Sequence, residues 1–539
     1  MKISNKHWHQ FLHYSELGGY AITICALPLS NLFMSIGMIV LASVCVLQFV
    51  SGPSNTERKK RLQRFVKTPS FWMLSGIYVM VFLGMFWTEN SNHGFWDLRM
   101  KLPILTMPII LALLNPLNQR NIRILKGLFI LSLTFSLCYC LLVYAGLIPY
   151  ELQDIRDISV FISHIRFSLL LVAGLLIAYH ETWSRGIVGK AFCITLTLGF
   201  VYFLFIIESL TGIAALALVM VCRLIQKFLI SKNKTTKWVI ASTMVVLPIV
   251  TAGYLYSCYT SYFRVTQIDW NNLPAKTIHG DSYDHNKQYP LIENGHYTYT
   301  YLAWGELYGG WIERSTMSLD SLDKKGGSLK GTLIRYLASK DLHKDLDGIR
   351  QLSQEDIINI ENGETSIGLE NQNPIRKRID RVLFEYSNFR AGGSANGHSV
   401  FQRLEFWRAA WGIIQKNFWY GVGTGDTKAA FALEYHFMQS TLDADHRLRA
   451  HNQYLTMWLT YGLFGFLYFA LAIIIGLRKG GWKHTLYAPF VLLTLLSFCS
   501  EDTLESQAGV MFFIFFSVFL HPAFEKNASL KNSVHNVRR

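Results

Sequence analysis

Apolar residues in this chain come in blocks of about 20 separated by short polar breaks, the length at which a helix crosses a hydrocarbon core of about 30 Å. Such blocks fall at roughly 17–29, 32–50, 69–88, 100–115, 124–147, 164–181, 187–207, 210–230, 237–258, 452–477, 484–500 and 505–521. The pattern predicts an all-α polytopic membrane protein with about 12 transmembrane helices. Between the ninth and tenth blocks lies a long stretch with a different rhythm. Three regions follow: 1–258 with about nine spans, 259–450 as one large folded domain, and 451–539 with three spans and a cytoplasmic tail. The first block ends at Pro28 and is followed at once by another, with no small-x-small cleavage site, so it reads as a retained helix and not a signal peptide.

The long stretch carries local signals that agree with one another. Tyr289–Glu293 and His296–Trp304 flank Asn294-Gly295, a two-residue hairpin turn. Ser353 with Asp356 three residues later, and Gly363 beyond, frame a short capped helix. Asn373-Pro374 opens another helix, with Ile375, Ile379, Val382, Tyr386 and Phe389 on one face. Ser399 starts a third after the connector Ala391–Gly397. A mixed, mainly helical domain is expected there.

Charge orients the chain. Arg58, Lys59, Lys60, Arg61, Arg64 and Lys67 share one loop, and Arg223, Lys227, Lys232, Lys234 and Lys237 share another. The alternate short loops and their flanks hold Arg99, Lys101, Arg156 and Arg166. Basic residues favour the cytoplasmic side, which puts both termini inside and 259–450 on the non-cytoplasmic side. The net charge of +15 is therefore a topology signal, and nucleic acid is not an expected partner. Composition agrees: the chain is 51% hydrophobic and only 16% charged. All eight cysteines lie in or beside the apolar blocks, so the outer domain is expected to fold without disulfides.

On that topology, ionisable residues from distant parts of the chain gather at one membrane face: Arg99, Lys101, His164, Arg166, Arg403, Arg408, His451, Glu501, Asp502 and Glu505. Five motifs stand out along the chain: FISHIRFSLLL (161–171), HSVFQRLEFWRAAW (398–411), FWYGVGTGD (418–426), RAHNQYLTMWLTYGLFG (449–465) and SEDTLESQAGVMFF (500–513). Each has a plain structural reading. Arg99 and Lys101 suit interfacial snorkelling, a lone His451 suits a satisfied interfacial histidine, and GVGTGD lacks the strand and the GK[ST] of a phosphate loop, leaving Asp426 as a helix cap. No HExxH, paired CxxC or Gly-x-Ser-x-Gly element occurs, so no metal site and no cofactor is expected.

In this order the motifs IRFS, QRLEFW, GVGTGD, HNQYL and EDTLESQAG resemble the O-antigen ligase family, the group that also holds O-antigen polymerases and bacterial O-oligosaccharyltransferases. The resemblance implies a membrane glycosyltransferase whose donor is a glycan on undecaprenyl diphosphate. Its acceptor would be a hydroxyl of lipid A-core, of a protein or of another glycan. It carries the family's two diphosphate-contacting arginines onto Arg166 and Arg403, and its loop-exit histidine onto His451, which would serve as general base. Arg99, Lys101, His164, Arg408, Asn452 and Glu501 follow as substrate-binding or positioning residues. Ligation to lipid A-core is the expected reaction, with protein O-glycosylation and then glycan polymerisation as alternatives. A transporter would call for ionisable residues deep in the spans and paired halves. A scaffold would leave the gathered arginines and histidine idle.

Overall fold

The computed structural model describes residues 5–51, 55–152, 154–265, 268–368, 373–481 and 484–524, so the expected tail 525–539 lies outside the described residues. The N-terminal half is helical throughout: α1 (Asn5–Ala26), α2 (Asn31–Ser51), α3 (Asn55–Lys67), α4 (Pro69–Leu83), α5 (Ser91–Leu113), α6 (Gln119–Tyr144), α7 (His164–Thr182), α8 (Gly186–Ile206), α9 (Leu210–Ile230) and α10 (Lys234–Phe263). After a hairpin of β1 (Ile292–Glu293) and β2 (His296–Tyr297) come α11 (Trp304–Arg314), α12 (Leu329–Ser339), α13 (Leu346–Arg350), α14 (Gln354–Glu361), α15 (Pro374–Arg390), α16 (Ser399–Lys416) and α17 (Thr427–Phe437). The last three are α18 (Gln453–Gly480), α19 (Tyr487–Ser500) and α20 (Gln507–Phe519).

A helix stands at every expected block. Eight of them, α2, α4 with its 3-10 extension, and α6, α7, α8, α9, α10 and α18, are long and apolar enough to cross a membrane, and α19 and α20 are shorter apolar helices. α1 and α5 are long, but each carries polar side chains inside the bundle. Glu16 of α1 is buried and accepts from Gln48 Nε2 at 2.7 Å, and Asp97 of α5 pairs with Lys101 at 3.0 Å. These internal partners let helices with a weaker apolar signal pack within the bundle.

Contacts sort the helix termini into two ends. At one end α3 docks on the end of α5, with Arg61 Nη2 2.7 Å from Asn115 Oδ1 and Arg64 Nη1 3.1 Å from the Leu114 carbonyl oxygen. On α9, Arg223 Nη1 donates to the Thr485 carbonyl at 2.7 Å, beside the start of α19. The basic loops therefore lie at the end of the bundle remote from the starts of α5, α7, α18 and α20. α3 itself was not expected. Its sequence, NTERKKRLQRFVK, is strongly basic and yields only a weak apolar pattern, and its helix is held by arginines that hydrogen-bond the carboxyl end of α5.

The segment 268–450 has two apolar cores. Leu302, Leu307, Trp311, Leu333, Leu337, Ile349 and Ile357 build one, around α11–α14. Phe406, Ala409, Ile413, Phe431, Tyr435 and Leu459 build the second, which joins α16 and α17 to the start of α18. The hairpin forms at Asn294-Gly295 with φ of 48° and 84°, pairing Ile292 with Tyr297 and Glu293 with His296. It is shorter than the alternation 297–301 suggests, because Tyr301 turns left-handed (φ 55°) and the Leu302 amide pairs with Asp284 instead. The Ser353–Asp356 capping box is present, and Gly363 follows it at φ 81°.

α15 departs from its apolar pattern. Ile375 and Phe389 are exposed, whereas Arg378, Asp380, Glu385, Ser387 and Asn388 are buried. The buried side is polar because it satisfies backbone groups of the neighbouring loops: the Ile292 amide donates to Ser387 Oγ at 3.1 Å and the Val400 amide to Glu385 at 3.1 Å.

Candidate active site

Four chain segments converge at the end of the bundle opposite the basic loops. α7 brings Arg166 from its first turn, α16 brings Arg403, the entry to α18 brings His451, and the turn after α19 brings Glu501. Glu501 is the hub. Its Oε1 lies 3.4 Å from Arg403 Nη2 and its Oε2 lies 3.4 Å from His451 Nδ1. Arg166 shares a small cavity with Glu501, Ser497 and Thr503, close enough for its charge to act on that carboxylate. Burial pushes the Glu501 carboxyl up. The hydrogen bond from His451 and the guanidinium charges of Arg403 and Arg166 offset this and hold it below its ordinary value.

An ionised carboxylate only accepts hydrogen bonds. Facing Glu501, the Nδ1 of His451 is therefore the protonated nitrogen in the neutral tautomer, which leaves the Nε2 lone pair free to take a proton. The ring lies 5.7 Å from that of Phe406, centroid to centroid.

His451 has a φ of 45°, a left-handed position rare for a side chain of this size. Asp502 holds it there. Its carboxylate accepts from the His451 amide at 3.0 Å, the Asn452 amide at 3.1 Å and the Thr456 hydroxyl at 2.6 Å. Trp407 Nε1 adds a bond to the Ala450 carbonyl at 3.0 Å. One residue earlier, Arg449 reaches Glu505 at 3.0 Å, and the same carboxylate meets Lys101 at 2.8 Å. The approach to His451 is thus tied on one side to the turn 501–505 and on the other to α5.

The glycine-rich break supports the same region from below. Val422 and Gly423 donate to the carbonyls of Leu459 and Thr460, and Leu463 donates to Phe418. The close approach needs Gly462, which sits at φ 67°, ψ −172°, a region essentially reserved for glycine. A Cβ there would stand 2.1 Å from the Trp419 carbonyl oxygen. Asp426 occupies the N-cap position of α17 but does not cap it. Its carboxylate accepts from the amides of Glu89 and Asn90, both at 2.8 Å, and so fastens the break to the start of α5.

The expected site residues divide accordingly. Arg166, Arg403, His451 and Glu501 come together. His164 opens α7 beside them, in a cavity with Arg156 and Ser163. Asn452 is the N-cap of α18, its Oδ1 occupied by the amides of Tyr454 and Leu455 and its Nδ2 by the Cys499 carbonyl. Lys101, expected to touch substrate, is 3% exposed and saturated by Asp97 and Glu505, so it braces the site without access to a ligand. Arg408 does not join the group: it is 70% exposed and its one ion pair among the described residues is with Glu405. Arg99 is exposed and lines a groove of about 760 Å³ with Trp96, Met100 and Glu505. Asp502, Glu505 and Arg449 are the residues whose roles sequence reasoning left unassigned. The spacing of Glu501, Asp502 and Glu505 in one short turn was the available signal.

Residues 352–470 match the O-antigen ligase family. The matched stretch, about a fifth of the chain, contains Arg403, the glycine-rich break and His451. No curated protein matches the chain.

Proposed function

We propose that this protein transfers a glycan from undecaprenyl diphosphate to an acceptor hydroxyl at the periplasmic face of a bacterial inner membrane, and that the acceptor is lipid A-core. The observation that carries the reading is the Arg403–Glu501–His451 contact, with Arg166 lining the same small cavity as Glu501. Departure of a lipid diphosphate builds negative charge on phosphate oxygens. Arginine guanidiniums stay protonated and match phosphate geometry, so Arg166 and Arg403 suit that charge. Glu501 holds Arg403 and His451 toward one point until the donor's phosphates arrive. His451 Nε2 takes the proton of the acceptor hydroxyl as its oxygen attacks the anomeric carbon, and the diphosphate leaves from the opposite side. In-line attack inverts the configuration at that carbon.

All twelve expected helices are taken as spans in this reading, with both termini cytoplasmic. Support comes from the bundle itself, whose two ends separate the basic loops from the site. Reporter fusions at Lys60, Lys234 and Leu329 check it: the first two are expected to report cytoplasm and the third periplasm. A cytoplasmic Leu329 would overturn the placement.

A deletion strain tests the acceptor. Loss of the ligase leaves polymerised glycan on the lipid carrier and lipopolysaccharide that stops at the core. Core bearing a single repeat would instead point to a polymerase. Intact lipopolysaccharide beside glycoproteins of reduced mass would point to protein O-glycosylation.

A further inference from the structure

The lobe around α11–α14 has a cleft of its own, about 830 Å³ in volume, between the loop 274–283 and the segment 341–351. Every lining residue precedes the stretch matched by the family, so the cleft belongs to the part of the outer segment that the match does not cover. Its walls are polar on several sides. Tyr283, His343, Asp347 and Arg350 line it, with Lys276 and Asp341 at its margins.

These groups are held in place from behind. The Tyr283 hydroxyl bonds to Asp345, whose other oxygen accepts from the Gly348 amide at 2.8 Å at the start of α13. Asp347 meets His279 Nε2 at 3.2 Å. The His343 ring lies flat on Tyr301, with centroids 4.1 Å apart and planes at 4°. Lys276 and Arg350 have no ion-pair partner among the described residues, so their donors are available to a ligand.

We infer that this cleft binds a neutral glycan segment, and so holds the donor's polysaccharide away from its reacting end; the second clause rests on the function proposed above. Sugar rings offer adjacent hydroxyls that both donate and accept, which suits fixed carboxylates beside a guanidinium, an ammonium and a phenol. The volume falls in the range of small-ligand sites, roughly 300–1,000 Å³. Three carboxylates (Asp341, Asp345, Asp347) face two cations (Lys276, Arg350), a balance that gives a polyanion no net attraction. A peptide is disfavoured because the regular strands described in this lobe are two residues long and leave no edge for strand addition. The lobe adjoins the helices that lead to the site: Arg335 of α12 bonds Glu293 at 2.6 Å and its guanidinium stands 3.9 Å from the centre of the Phe384 ring on α15, which packs against α16.

The test uses the full chain in lipid nanodiscs and two probes. One is end-labelled polysaccharide released from the lipopolysaccharide of the source bacterium. The other is a pair of lipid-diphosphate donors, carrying one repeat or the polymer. Arg350→Gln and Asp347→Asn both change solvent-accessible side chains that line the cleft. Each is expected to weaken polysaccharide binding by about tenfold, the loss of a charge-assisted hydrogen bond. Each should also raise KM for the polymer donor while leaving kcat and the single-repeat donor unchanged. Unaltered binding in both variants, equal damage to both donors, or displacement of the polysaccharide by a reduced, carboxymethylated polypeptide would each overturn the inference. The binding arm needs no turnover and is repeated in the His451→Asn protein. Cleft-dependent binding retained by a parent protein that itself transfers nothing to any acceptor would sink the proposed function and leave the cleft assignment standing.

Discussion

Replacing His451 lowers glycan transfer by roughly 10²–10⁴-fold, the usual worth of a positioned general base. The expectation rests on the paired contacts of this residue: its ring nitrogen on Glu501 and its amide on Asp502. Two variants separate chemistry from folding. His451→Ala removes the imidazole but also puts a β-carbon residue with little left-handed tolerance at φ 45°. His451→Asn removes the imidazole and keeps a side chain that accepts that backbone readily. Both should lose transfer in a purified assay with lipid-linked donor, while the Asn variant accumulates in the membrane like the parent. Near-normal turnover by His451→Asn would take the histidine out of the mechanism.

Removing either arginine comes next in size. Arg403→Ala and Arg166→Ala are each expected to cost on the order of 10²-fold or more, as when a preorganised stabiliser of developing charge is deleted. The two losses arise in part through Glu501, because each variant also strips that half-buried carboxylate of a compensating charge. Lysine should restore little, since an ammonium is a point charge and cannot grip a phosphate with two parallel bonds. The readout is kcat/KM with a defined lipid-diphosphate donor. Recovery of most of the activity by Arg403→Lys would mean that net charge suffices and that the forked geometry is idle.

The two sets of residues differ in how far the sequence could reveal them. Arg166, Arg403 and His451 could be singled out from the sequence because each sits in a motif at or near a helix start, and the structure brings them together around Glu501. Lys101 and Arg408 stand apart from that group for opposite reasons. Both are basic and near helix ends on the same side, which is all that a linear pattern registers. Lys101 turns into the bundle toward Asp97 and Glu505, and Arg408, five residues after Arg403, is carried to another side of α16. Likewise, α15 shows an apolar stripe in sequence, yet its polar side is buried because loops without partners of their own need its Ser387 and Glu385.

What the sequence determined by itself is where the apolar helices lie. Twenty-residue apolar runs must hydrogen-bond internally in a hydrocarbon medium, so these helices are written locally. The capping box at Ser353 and the Asn294-Gly295 turn are local in the same sense, since each needs only its own few residues. Everything that makes a site is nonlocal. Glu501 meets Arg403 across 98 positions and His451 across 50, and Asp426 fastens the start of α5 across 336. No period or motif encodes those distances. They follow from helix packing, where glycines such as Gly462 let backbones approach and buried carboxylates accept whatever amide, guanidinium or ammonium the packing brings within reach.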